Sequence, residues 1–104
     1  MPDTSRREVL VARSKSLRER ATAFNERLMD ERAKEFMRSS VFNHLDDVDS
    51  FFLGDPKTRP SQEMWERMWL DSADVILTMA EQGFNKFEDQ VRKYGGPENV
   101  RMFG

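Results

Sequence analysis

The sequence contains no cysteine. This absence excludes disulfide bridges, zinc sites built from thiolates, and cysteine nucleophiles. Histidine is almost absent as well, because His44 is the only one. Together with Asp47 it could supply two metal ligands, fewer than the roughly four of a typical zinc site. We therefore predict no metal site and no bound cofactor.

Long apolar runs are also missing. No run approaches the roughly 20 residues that a membrane-spanning helix needs, and the N-terminus is polar rather than built around the apolar segment of a signal peptide. We therefore expect a cytoplasmic protein without a membrane partner. The 104 residues include eight Phe, seven Met and two Trp, which supply the large apolar groups that disordered chains lack. We predict a single helical domain over 1–104, with a short non-helical tail at 96–104.

A strong charge of either sign is absent too, since the net charge is −2. This balance does not indicate a general attraction to nucleic acid. The one acidic concentration is the stretch DDVD at 46–49, which lacks the glycine and the final glutamate of a calcium-binding loop. It is typical of a capping and solubilising patch, with a basic docking partner as the functional alternative.

Three helices are predicted from the spacing of apolar residues. A capping pair at Ser5 and Glu8 begins the first helix, at about 5–38, and its apolar residues recur in alternating steps of four and three. A short second helix is expected at about 41–53. The third, at about 61–94, ends at two glycines and a proline, and Gly83 is a weak point where it could kink.

The first and third helices have similar lengths and similar apolar stripes. If the chain folds back so that facing residue numbers sum to about 101, Leu17 meets Phe84 and small residues oppose large ones. The sequence therefore predicts an all-α fold. Its expected form is an antiparallel hairpin of two long helices, with the short helix over one end, completed by dimerisation into a bundle of coiled-coil type.

A row of basic residues follows the first helix at intervals of seven. This row could contact a polyanion, or it could flank the seam between two helices, where charged residues affect register and partner choice. Acidic residues are interleaved with it, whereas phosphate-binding surfaces usually exclude them, so nucleic-acid binding is the third of our functional hypotheses. The row comprises Arg6, Arg13, Arg20, Arg27 and Lys34.

The third helix is apolar over roughly 200° of its circumference, a wider arc than one partner helix covers. The surplus residues could be covered by the short second helix, or they could bind a second copy or another protein. We favour the second interpretation, because Trp and Met are enriched where proteins bind one another. The predicted interface consists of Trp65, Met68, Trp69, Ile76 and Met79.

The stretch from Asp71 to Gly95 resembles the last helical region of all-α nucleoside triphosphate pyrophosphatases. In that family an acidic pair three residues apart, here Asp71 and Asp74, helps to hold magnesium. The resemblance implies a magnesium-dependent hydrolase, and it covers about a quarter of the chain. The family also has an upstream helix with the pattern Glu-Glu-x-x-Glu, which this sequence lacks.

No residue pattern completes a catalytic site, so we predict that the protein is not an enzyme. The leading hypothesis is a helical protein–protein interaction module, such as an adaptor, inhibitor or assembly factor, that self-associates. The pyrophosphohydrolase is the alternative. The tail at 96–104 contains Val100, Met102 and Phe103, which could pack on the bundle or serve as a peptide ligand.

Overall fold

The computed structural model describes residues 2–54 and 62–101, and in these ranges it contains three long helical regions and no strand. Helix α1 spans Pro2–Arg27, α2 spans 31–52, and α3 spans Glu63–Arg92. A short 3₁₀ turn follows at Pro97–Asn99. The predicted all-α class is confirmed. None of the helices in the described ranges has a stretch apolar and long enough to cross a bilayer.

Helix α1 is shorter than predicted. It begins at Pro2, where proline suits the first turn of a helix, and it ends at Arg27 rather than near residue 38. The reason lies at Asp30, whose backbone is extended and whose side chain accepts a hydrogen bond from the backbone N–H of Ala33 at 3.0 Å. Asp30 therefore caps a new helix, which the absence of Gly and Pro had concealed.

Helix α2 starts at Glu31, earlier than the predicted start near residue 41, and ends at Phe52, close to the predicted end. Two of its segments, Arg38–Phe42 and Val48–Phe52, are π-helical. The buried residues of α2 recur mostly every four positions. In a regular α-helix four residues turn by about 400°, so each buried residue would lie about 40° further around the helix than the one before it. The wider π turns correct this drift. The buried residues of α2 are Ala33, Met37, Val41, Leu45 and Val48.

Helices α1 and α3 run parallel, so the predicted antiparallel hairpin is wrong. The ion pairs between them join residues whose numbers rise together along both helices. A reversed α3 would require one number to fall as the other rises. In chain order these pairs are Arg6–Asp71 at 2.5 Å, Arg13–Asp74 at 2.8 Å and Arg20–Glu88 at 3.6 Å.

Helix α2 makes this parallel arrangement possible. It is antiparallel to α1, since Ser14 contacts Asp49 while Arg18 contacts Asp46. It is also antiparallel to α3, where the ring contacts are Phe36–Phe87 at one end and Phe51–Trp69 at the other. The chain therefore forms an up-down-up bundle with dimensions of 49 × 21 × 17 Å.

The core contains the apolar stripe residues that the sequence predicted for α1 and α3. Their partners differ from the predicted layers, because Phe24 packs edge-on against both Phe84 and Phe87, with ring centroids 5.4 and 5.9 Å apart. Helix α3 continues through Gly83 without interruption. The buried stripe residues are Leu10, Ser14, Leu17, Ala21, Phe24, Leu28, Ala73, Leu77, Ala80, Phe84, Phe87 and Val91.

Candidate interaction surface on helix α3

The basic row of α1 lies beside its seam with α3 and is paired within the chain. Arg13 forms an ion pair with Asp74 and also donates to the hydroxyl of Thr78 at 3.3 Å. Arg20 donates to Asn85 at 3.0 Å and lies over the ring of Phe84, 5.1 Å from its centroid. The row therefore fits the description of a seam flank better than that of an open polyanion site.

The two ends of the row behave differently. Arg27 pairs with Glu98, which follows α3, at 2.7 Å. Lys34 does not continue the row, because α1 ends before it. It lies on α2 and pairs with Glu31 at 3.4 Å. The predicted row of five is therefore a row of four.

The arginines of the row lower the pKa values of two carboxyl groups that face them. The hydrogen bond from Arg13 holds the pKa of Asp74 below its ordinary value against the opposing effect of burial, and Thr78 and Arg6 contribute in the same direction. The hydrogen bond from Arg27 lowers the pKa of Glu98 in the same way. Both carboxylates are therefore held in the charged form that the arginines prefer.

A polar cluster joins α1 to α2 at Ser14, which lies within the apolar stripe of α1. Ser14 is 1% exposed and donates to Asp49 at 2.5 Å. Arg18 donates to Asp46 and Asp49, both at 2.9 Å. Burial lowers the pKa of Arg18, but the hydrogen bonds to Asp49 and Asp46 together with their negative charges raise it above its ordinary value. The signal in the sequence was a serine within a stripe of apolar residues.

The five predicted interface residues fall into two groups. Trp65, Met68 and Met79 are exposed, with fractions of 49, 51 and 57%. Trp69 is only partly exposed, because its ring stacks on Phe51 of α2 at 4.9 Å and its indole N–H donates to the Phe51 carbonyl at 2.9 Å. Ile76 is partly buried and packs on the core. The second helix thus covers part of the surplus face, as one interpretation anticipated, and leaves the rest open.

Two further residues extend this open face. Met64 and Val75 are 61 and 59% exposed, and the sequence interpretation had missed both. Their spacing reveals them, because residues 64, 68, 75 and 79 follow steps of four, seven and four and so share one side of a helix. We call the combined set the outward stripe. It consists of Met64, Trp65, Met68, Val75 and Met79.

The described part of the tail packs on the bundle, since Pro97 and Val100 are buried. Beside Val100 lies a groove of about 380 Å³, which is also lined by Phe36, Phe87 and Tyr94. Met102 and Phe103, for which we predicted either packing or ligand binding, lie outside the described residues.

The carboxylates of the pyrophosphatase resemblance lie at the α1–α3 seam. Asp71 pairs with Arg6 at 2.5 Å and Asp74 pairs with Arg13. Across the described ranges, no three His, Asp or Glu side chains come together in a group that could hold a metal ion. His44 lies on α2, half-buried.

Comparison of the chain with models of protein families, with curated protein sequences and with solved structures found no match.

Proposed function

We propose that the protein is a non-enzymatic helical interaction module, which binds protein through the outward stripe of α3 and self-associates. The observation that carries this proposal is the exposure of five large apolar side chains on one face of a helix whose opposite face already fills the core. None of the five belongs to the buried core of the described residues, so their apolar surface is available to a partner.

The size of the stripe supports the proposal. Five side chains that are about half exposed or more present roughly 500 Å² of apolar surface, which is within the range of the largest, often functional, patch on a typical monomer. Three of the five are methionines, whose flexible thioethers adapt to a partner, and one is a tryptophan, which is frequent among the residues that dominate binding energy.

The ion pairs weigh against the other two hypotheses. A nucleic-acid site would need the arginines of α1 free to contact phosphates, whereas Arg6, Arg13 and Arg20 each face a carboxylate of α3. A pyrophosphohydrolase would need Asp71 and Asp74 to bind magnesium, and both carboxylates are occupied by these arginines.

Photo-crosslinking in the native cells tests the proposal. A photoreactive benzophenone side chain replaces Met68 in the outward stripe, and the matched control replaces Glu26, which is exposed on the first helix. We expect position 68 to form protein adducts, either with the chain itself or with another protein, and position 26 to form none. If position 68 forms no more adducts than position 26, the stripe does not bind protein and the proposal is wrong.

The enzymatic alternative has its own assay. The purified chain is incubated with magnesium and a panel of nucleoside triphosphates, and pyrophosphate is measured. We expect none above the blank. Release that Asp74→Asn abolishes would replace the interaction module with the hydrolase.

A further inference from the structure

The apolar positions of the outward face of α3 are arranged symmetrically about one residue. Trp65 and Met79 lie seven positions on either side of Ser72, and Met68 and Ile76 lie four positions on either side. Reversing the direction of the helix about Ser72 exchanges Trp65 with Met79 and places Met68 and Val75 on the partly exposed Ile76 and Trp69. Of the outward stripe only Met64 falls on a buried position, that of Ala80. When two copies of one helix pack antiparallel across a two-fold axis, each residue meets the position related to it by this reversal, so an apolar pattern that survives the reversal suits such a pair.

We propose that the occupant of the outward stripe is a second copy of this chain, whose α3 lies antiparallel on the first with the two-fold axis at Ser72. The inference rests on the proposed function and names its partner. In this dimer Trp65 faces Met79 of the second copy, and Met68 faces Ile76 of the second copy. Each contact occurs twice, as a two-fold axis requires.

Ser72 suits the position on the axis. Its small side chain lets two helices approach closely. Its hydroxyl already donates to the carbonyl of Met68 at 3.1 Å, within its own helix. Burying Ser72 therefore leaves no unsatisfied donor, which is the usual cost of a polar residue at the centre of an interface.

The charges near the axis also permit the dimer. Residues of the outward stripe, together with Ser72, carry no charge. Asp71 lies next to the axis, so a two-fold dimer brings two copies of it together. Each copy carries its own counterion, because Arg6 lies 2.5 Å from the Asp71 carboxylate. The approach therefore does not bring two uncompensated negative charges together.

The exposed apolar area supplies more than half of what a dimer needs. A stable interface buries about 800 Å² on each partner, and the outward stripe alone supplies roughly 500 Å². Phe51 extends the patch onto α2, since it is 59% exposed and stacks on Trp69. In the proposed dimer, polar residues around this patch would form the rim of the interface.

Gly83 is a second, independent indication. A glycine inside a helix lowers helix stability, yet a Cβ built at Gly83 meets no atom within 4 Å, so packing within the chain does not require it. Side chains of a helix lean toward its N-terminus. In the antiparallel dimer, Trp65 of the second copy starts opposite Met79 and leans toward Gly83, where a missing Cβ leaves room for the indole.

Sedimentation equilibrium of the purified chain is the primary test. We expect a dimer at micromolar concentration. Ser72→Arg and Ser72→Glu each place two like charges at the axis, so each variant should be a monomer with unchanged helical circular dichroism, because Ser72 is exposed in the single chain. A mixture of the two variants should form a heterodimer. A parent that stays monomeric at high micromolar concentration, or a mixture that does not associate, overturns the inference.

The direction of the helices is tested by single-cysteine variants, which the cysteine-free chain permits. With a short bis-maleimide linker, Met68→Cys mixed with Ile76→Cys should crosslink between chains. Met68→Cys alone should not, because the two copies of residue 68 are offset by about 12 Å along the helix axis. Efficient crosslinking of Met68→Cys alone would indicate a parallel dimer and overturn the proposed arrangement.

Gly83→Ala distinguishes an effect on dimer affinity from an effect on helix stability. In the monomeric Ser72→Arg background it should raise the melting temperature, because alanine favours the helix. In the parent it should weaken dimerisation about tenfold by filling the space for Trp65. Unchanged or tighter dimerisation overturns the contact. Should the chain prove monomeric while position 68 still crosslinks another protein in cells, protein binding by the outward stripe stands, whereas self-association and the second copy on the stripe are both wrong.

Discussion

At the scale of single residues, the most informative position is Ser14. It lies in the apolar stripe of α1 and is buried, but its hydroxyl donates to Asp49, which in turn accepts a hydrogen bond from Arg18. A buried hydroxyl without a partner costs more than an ordinary hydrogen bond contributes. This cluster therefore specifies which part of α2 faces Ser14, a role that apolar packing alone fills poorly.

Asp49→Ala should lower the free energy of unfolding by about 1 to 3 kcal/mol, because it leaves the Ser14 hydroxyl without its acceptor. Urea denaturation measures the change. Asp47→Ala is the matched control, since Asp47 is exposed on the same helix, and it should change stability by no more than about 0.5 kcal/mol. Equal effects of the two substitutions would mean that the cluster contributes nothing to α2 placement.

At the scale of elements, the break between α1 and α2 decides the architecture. Residues 28–30 separate the two helices, and the Asp30 side chain satisfies the N–H of Ala33. Without this break, α1 would continue past Arg27, and α2 would be too short to return along the bundle. The cap at Asp30 thus marks the boundary at which the predicted first helix divides, giving three helices in place of a two-helix hairpin.

Asp30→Ala tests this boundary, because the two architectures predict effects of opposite sign. As the N-cap of α2, Asp30 should be worth about 1 kcal/mol, so the alanine variant should melt at a lower temperature. Within one continuous helix the same change would stabilise the chain, since alanine is the better helix former. Asp30→Asn keeps a capping side chain and should stay close to the parent in thermal denaturation.

At the scale of the whole molecule, the parallel direction of α1 and α3 aligns two charged rows. The row of arginines on α1 meets the carboxylates of α3 in rising order, from Asp71 to Glu88. Exposed ion pairs contribute only about 0 to 1 kcal/mol each. Their main effect is therefore on the relative position of the helices, and they leave the outward stripe as the uncharged surface of α3.

Distances between spin labels test the direction of α3. Labels at Glu8 and Arg67, both near helix starts, should lie close together, while labels at Glu8 and Lys93 should be separated by most of the 49 Å length of the molecule. Pulsed electron resonance on cysteine pairs measures both distances, with excess unlabelled chain to suppress signals between copies. A short distance between 8 and 93 would instead support the antiparallel hairpin.

Much of the fold was determined by local pattern. The spacing of Leu10, Leu17, Phe84 and Phe87 identified the buried faces correctly, because side chains three and four apart on a helix share a side whatever that side packs against. The same reasoning identified Trp65 and Met68 as residues outside the helix–helix contact, because the apolar arc of α3 is wider than one neighbouring helix can cover.

The direction of α3 relative to α1, and which residues of its surplus apolar face are covered, were decided only by the tertiary structure. A stripe with steps of four and three reads nearly the same from either end, so periodicity could not distinguish a parallel from an antiparallel α3. The length of α2 settled the direction of α3, because α2 begins after the cap at Asp30 and returns along the bundle as far as Phe52. Likewise, Trp65 and Trp69 are one turn apart with the same chemistry, and the positions of Phe51 and Phe52 cover Trp69 and leave Trp65 exposed.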